Sequence, residues 1–222
     1  MRYLSNVLKV ALILTIFNLY GSDEKPKPDT HLFQKYIDSF IQFGKLYRHN
    51  YNPVVPPIYF VTSAELGFGG FNTLGVCYTD RMAVELGFDP VAIKIEINAE
   101  RWVMMDEVER EMLVFHELGH CMSPFRAHTT HMISNTNNEV PASLMYPAST
   151  NKMKHYYKLF RTSYIEELFG CNPAVVADAV MKHRYENSEV TLAAYQQYQV
   201  DRVQQNSLYG VLHTKRPGDK CL

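Results

Sequence analysis

The sequence predicts an α+β fold: a small twisted mixed sheet, a backing helix, a motif-bearing helix and a mostly helical C-terminal part. Three observations carry this. Ile93-Lys94-Ile95-Glu96-Ile97 alternates apolar and polar residues, the period of a strand with one buried face. Phe33, Tyr36, Ile37, Phe40 and Ile41 recur at helical spacing. Asp106 stands three residues before Glu109 at the head of an apolar periodic run, the pattern of a capped helix.

The elements follow in order. Arg2 and Lys9 flank the start of an apolar run from Val10 to Phe17, which Gly21-Ser22 follows. That layout predicts a signal peptide over residues 1–22, too short to span a bilayer comfortably and without a cysteine for lipid attachment. Lys25-Pro26-Lys27-Pro28 is a stiff linker over residues 23–29. A helix is predicted over Thr30–Arg48, broken by the proline-rich Asn50–Pro57. Strands are predicted at Ile58–Thr62, Gly75–Thr79 and Val91–Ile97. The glycine-rich Gly67–Gly75 lacks the strand-to-helix setting of a phosphate cradle and reads as a turn. Asp106–Cys121, Lys152–Phe169, Pro173–Arg184 and Thr191–Gln205 read as helices. The organisation is a domain over residues 30–170 with a helical C-terminal extension, 171–222.

The helix at Asp106–Cys121 carries His116-Glu117-Leu118-Gly119-His120, an instance of H-E-x-x-H. Residues four apart share a helix face, so both imidazoles address one point. Neutral imidazoles are zinc ligands, and a carboxylate beside them can take a proton from water. The pattern therefore points to zinc, one ion, with Glu117 as general base. A zinc enzyme needs a third protein ligand and an open position. His128 lies eight residues on, past Ser123-Pro124, where the helix should end; His131 and Glu139 are the other candidates. Pro141 and the run Asn135–Asn138 place Glu139 in a loop rather than on a helix.

Further along stands Ser143-Leu144-Met145-Tyr146-Pro147. The sequence of H-E-x-x-H, turn, third histidine and methionine-containing turn resembles the metzincin zinc peptidases. The strict metzincin spacing is not met: Ser123 and Arg126 stand where that pattern has Gly and His, and His128 comes two residues later. The order of Gly75-Val76-Cys77, the alternating strand, Trp102, the HELGHC core, Arg126-x-His128 and Glu166-Glu167-Leu168-Phe169 also resembles a group of small secreted bacterial proteins classed as metallopeptidases. That resemblance implies His116, His120 and His128 as ligands, Glu117 as base, and a metalloendopeptidase acting on a peptide or protein substrate. It implies Met145 as the methionine of the turn, an apolar floor and not a ligand. Tyr146 reads as a packed aromatic. The rival expectation is a secreted zinc-stabilised binding module that does no chemistry.

Composition bounds the alternatives. The chain has 222 residues, 46% of them apolar, enough for a sizeable core. Net charge is −1; removing residues 1–22 takes two basic residues from it and leaves −3. No long basic run is present, so neither nucleic acid nor an anionic membrane surface is an expected partner, and a monomer is expected. Export would place the protein outside the cytoplasm, secreted or periplasmic. There Cys77, Cys121, Cys171 and Cys221 would pair. Three pairings exist, of which Cys77–Cys121 with Cys171–Cys221 is the expectation. With no cysteine before Cys77 and only a short linker before Thr30, activity is expected without maturation beyond signal removal.

Overall fold

The computed structural model describes residues 27–201 apart from 49, 67–72, 81–90, 123–125, 134–138, 148–150, 171 and 173. The predicted signal peptide, Cys171 and Cys221 lie outside the described residues. A 3-10 turn at Thr30–Phe33 runs into helix α1 (Gln34–Tyr47), which buries the predicted face through Tyr36, Ile37 and Phe40. The chain turns back at Asn50, which takes a positive φ of 59°, and Tyr51 packs on Gly44. A Cβ at Gly44 would stand 2.2 Å from the Tyr51 ring, so the turn needs glycine there.

Strands β1 (Ile58–Val61), β2 (Gly75–Thr79) and β3 (Ala92–Asn98) form one mixed sheet in the order β1-β3-β2. β1 pairs parallel with β3, and β2 pairs antiparallel with it. The two outer edges differ. On β1, the Ile58 and Phe60 amides donate to Thr30 Oγ1 and Asp29 Oδ2, each at 3.0 Å, and the Asp29 amide donates to the Ile58 carbonyl. The side chains before α1 thus satisfy that edge. Among the described residues the β2 edge has no further strand beyond it, and it faces the site described below.

The alternation in β3 holds for Ile95 and Ile97, both 1% exposed, while Ile93 is exposed. It fails for Glu96 and Asn98, which are also buried. β3 is the central strand, and both residues have polar partners: Glu96 accepts from Tyr78 Oη at 2.8 Å, and Asn98 caps the next helix. That helix, α2 (Ala99–Trp102), is only four residues long and was not anticipated from periodicity.

Helix α3 (Glu107–Cys121) begins as predicted. Asp106 Oδ1 accepts from the amides of Val108 and Glu109, and Glu109 reaches back to the Asp106 amide, a complete capping box. A short antiparallel pair, β4 (Met132–Ile133) and β5 (Val140–Pro141), follows. Helix α4 (Asn151–Gly170) breaks regular geometry at Phe160. Helix α5 (Ala174–Glu186) packs on α4, and Val176 and Val180 belong to the same core as the rest of the domain. Residues 192–201 are helical and dock on α5 through Tyr198 Oη to Asp178 (2.6 Å) and stacked Tyr185 and Tyr195 rings.

The backing helix is placed differently from expectation. α3 lies beside β2 and β3, whereas α1 packs against α3 and α4. Phe40 is the hinge of that packing, with ring centroids 5.3 Å from Phe115 and 4.8 Å from Phe169. The sheet is met by the turn before α1, where Phe33 touches Phe60 at 4.9 Å. The physical reason is that α3, anchored to β2 by a disulfide, already occupies the sheet's inner face.

Candidate metal centre

α3 presents His116 and His120 one turn apart, with their Nε2 atoms 3.1 Å from each other. His128, from the segment after α3, brings its own Nε2 to 3.1 Å from that of His116. The ligand atoms of all three lie within 4.8 Å of one another. His116 Nδ1 is 2.8 Å from the Leu144 carbonyl, and His120 Nδ1 is 2.6 Å from the Arg126 carbonyl. A carbonyl only accepts, so both Nδ1 atoms carry the proton and both Nε2 atoms carry a lone pair. Two lone pairs facing each other at 3.1 Å repel unless a cation lies between them. Nitrogens about 2.0–2.1 Å from a tetrahedral zinc would stand roughly 3.3 Å apart. The donor set therefore fits a zinc-type ion. Burial works in the same direction: it pushes His116 down to about 3 and His120 down to about 4, and it lowers His128. Each shift favours the neutral ring, the form that binds a metal.

Glu117, between the two histidines, turns toward β2 and is buried, at 4% exposure. Burial pushes its carboxyl up to about 8, against a weaker opposing pull from a hydrogen bond with the Cys77 backbone. Gly75 makes room for it, since a Cβ there would stand 2.9 Å from Glu117 Oε1. The Cys77–Cys121 disulfide, with Cα atoms 5.6 Å apart, ties β2 to the end of α3 and so fixes this approach.

The segment bearing His128 is held by a network that sequence reasoning missed. The Arg126 amide donates to the Gly119 carbonyl (2.7 Å), and the Thr129 amide donates to the Met145 carbonyl (3.0 Å). The Arg126 guanidinium pairs with Glu167, which is fully buried, and also reaches the Glu167 carbonyl at 3.1 Å. The other Glu167 oxygen accepts from Ser143 Oγ at 2.7 Å, and Ser143 Oγ accepts from the Met145 amide at 3.0 Å. One carboxylate on α4 thus joins the His128 segment to the Met145 turn. Met145 itself is 0% exposed beneath α3, where a Cβ on Gly119 would meet its sulfur at 2.8 Å. The glycine inside HELGH is what lets the methionine in. Arg126 and Glu167 stood in the sequence within the two motifs quoted for the resemblance, but their pairing spans 41 residues and has no local signal.

The other candidates lie apart. His131 and Glu139 are exposed and outside the three-histidine group. Tyr146 is partly buried and lines the cleft beside the histidines, packed against the core.

A cleft of about 870 Å³ runs past His116, Glu117, His120 and His128, along β2 from Thr73 to Cys77. Fold and site together gather the two histidines and the glutamate of an H-E-x-x-H helix with a third histidine in a cleft beside a sheet edge, a group that could hold a metal ion. Over residues 59–140 the chain matches the family model described as "Putative phage metallopeptidase". That span contains the three-stranded sheet except Ile58, α3 and all three histidines, and it stops before the Met145 turn and Glu167. Over those residues the chain is similar to a metallopeptidase, a peptide-cleaving hydrolase. No curated protein and no solved structure matches the chain.

Proposed function

We propose that this protein is an exported zinc endopeptidase, with His116, His120 and His128 as ligands and Glu117 as general base. The observation that supports it most is the convergence of lone-pair Nε2 atoms, 3.1 Å apart, directly beside a buried carboxyl. The ion supplies Lewis acidity, polarising the carbonyl to be cleaved and acidifying the attacking water.

The chain's own groups do the rest. Glu117 takes a proton from the water as its oxygen bonds to the carbonyl carbon. It then returns a proton to the amine nitrogen as the C–N bond breaks. Burial favours the protonated form of Glu117, the form it takes between the two transfers, while a cation on the three histidines would favour the carboxylate that accepts the proton. Leu144 and Arg126 orient the two α3 histidines through their carbonyls. The outer edge of β2 offers backbone groups to an extended peptide lying in the cleft. Export draws support from the disulfide, which persists in an oxidising compartment. Among the described residues no helix is long and apolar enough to cross a membrane.

The test is cleavage of a mixed peptide library with zinc, with a chelator, and with Glu117→Gln. The variant should keep zinc and lose activity by orders of magnitude. Wild-type protein that binds zinc yet cuts no peptide would leave the zinc-stabilised binding module standing instead.

A further inference from the structure

Six arginines lie among the described residues, and five have a committed guanidinium. Arg48 donates to the Phe169 carbonyl and Arg110 to the Trp102 carbonyl. Arg126 pairs with Glu167, Arg161 with Glu111, and Arg184 lies 3.9 Å from Glu189. Arg101 is different. Among the described residues its guanidinium has no hydrogen bond, ion pair or aromatic face, and it lines the same cleft as the three histidines.

Its backbone is firmly placed. Arg101 sits on α2, and its amide donates to Asn98 Oδ1 at 3.1 Å. Asn98 is fully buried, and its side-chain amide holds Ser63 Oγ (2.9 Å) and the Thr73 carbonyl (3.3 Å). Thr73 is where the cleft begins beside β2. One buried asparagine therefore fixes Arg101 and the start of the peptide-facing edge relative to each other. The neighbouring Glu100 makes no ion pair with Arg101 among the described residues; its carboxylate accepts from the Ser63 hydroxyl instead. Among the described lining residues, Arg101 and Glu117 are the only acidic or basic side chains besides the histidines. Leu74, Met112, Leu113 and Met153 give the same cleft an apolar wall. A permanent cation at the wall of the cleft, without a partner among the described residues, is available to a carboxylate on a ligand, which the planar guanidinium can hold through two hydrogen bonds.

We infer that Arg101 is a specificity-determining residue of the cleft, taking a carboxylate of the peptide substrate. The inference rests on the peptidase reading of the same site. The carboxylate is either an acidic side chain or the free C-terminus of the peptide. The two sources share their chemistry and are separated by experiment.

The experiment uses matched peptides, Glu against Gln at each position near the cut and free acid against amide at the C-terminus. Binding is read by fluorescence anisotropy on zinc-loaded Glu117→Gln protein, with and without Arg101→Ala and Arg101→Lys. Cleavage by the wild type is read in parallel. A carboxylate-bearing peptide should bind on the order of 10- to 100-fold tighter than its neutral twin. That ratio should collapse toward one in Arg101→Ala and be partly kept in Arg101→Lys. The Glu/Gln pairs or the acid/amide pairs, whichever carry the ratio, identify the source. Circular dichroism checks that each variant folds. Equal binding of acidic and neutral peptides, or a ratio unchanged by Arg101→Ala, overturns the inference. An Arg101-dependent ratio without wild-type cleavage would instead sink the peptidase reading and keep the anion site. Cleavage without any carboxylate ratio would do the reverse.

Discussion

Gly75 and Glu117 meet across the gap between β2 and α3 so closely that no side chain fits between them: a Cβ on Gly75 would lie 2.9 Å from Oε1 and 3.0 Å from Cγ of the glutamate. The carboxyl is thereby pressed between the strand and its own helix. In Gly75→Ala the methyl must displace that carboxyl, while the histidines are not touched. Zinc content should stay stoichiometric while kcat falls by about 100-fold, the cost of moving a reacting group by roughly 1 Å. Metal analysis and turnover on one peptide, well below the melting temperature, check this. Unchanged kcat would show that Glu117 has slack and that its position is not critical.

The ligand set makes a second prediction. Alanine at His116, His120 or His128 should abolish stoichiometric zinc. His131→Ala and Glu139→Gln should retain it, since both residues are exposed and apart from the group. Metal content after dialysis decides each case. A His128→Ala protein with full zinc would reject the third ligand.

Metal-free protein should show an unusual pH dependence of stability. His116 and His120, at about 3 and about 4, refuse protons that the unfolded chain accepts below about 6.5. Their contribution is present above that value and is lost as pH falls. Glu117, at about 8, holds a proton that the unfolded chain releases above about 4.5. Its contribution is present in acid and is lost as pH rises through 8. Each proton changes stability by about 1.4 kcal/mol per pH unit. Two histidines outweigh one glutamate below about 6.5, and the glutamate acts alone above it, so stability from these groups peaks near pH 6.5. Urea unfolding in chelator from pH 4.5 to 8 measures this. Glu117→Gln should flatten the upper limb; a limb that persists in the variant belongs to other groups.

Glu167→Gln tests the clamp behind His128. Removing the charge leaves Arg126 buried without its counterion, at a cost of about 3–5 kcal/mol. Because Arg126 also holds His120 through its carbonyl, zinc affinity should drop about 10- to 100-fold. Competition with a coloured chelator reads affinity separately from thermal melting. A folded variant with wild-type zinc affinity would reduce Glu167 to a stability role.

What the sequence determined by itself is what short-range geometry dictates. The 3.6-residue period and the Asp106–Glu109 box specify α3, and one helical turn puts His116 and His120 on a common face whatever surrounds them. The two-residue period in the same way marks β3, and the Cys77–Cys121 pairing expected from export is present. Tertiary structure decided the rest. His128, and not His131 or Glu139, lies with His116 and His120 because Gly119, Met145 and Glu167 hold its segment against α3 and α4; spacing beyond a helix end has no period to read. The Asn98 cap on Arg101 is local, but the Asn98 side-chain amide finds Ser63 and Thr73 only when distant segments come to meet it. The close approach of Gly75 to Glu117 and the burial of Glu167 arise from contacts between residues tens of positions apart. Which partners such residues find depends on how the elements pack, and local propensity carries no information about that.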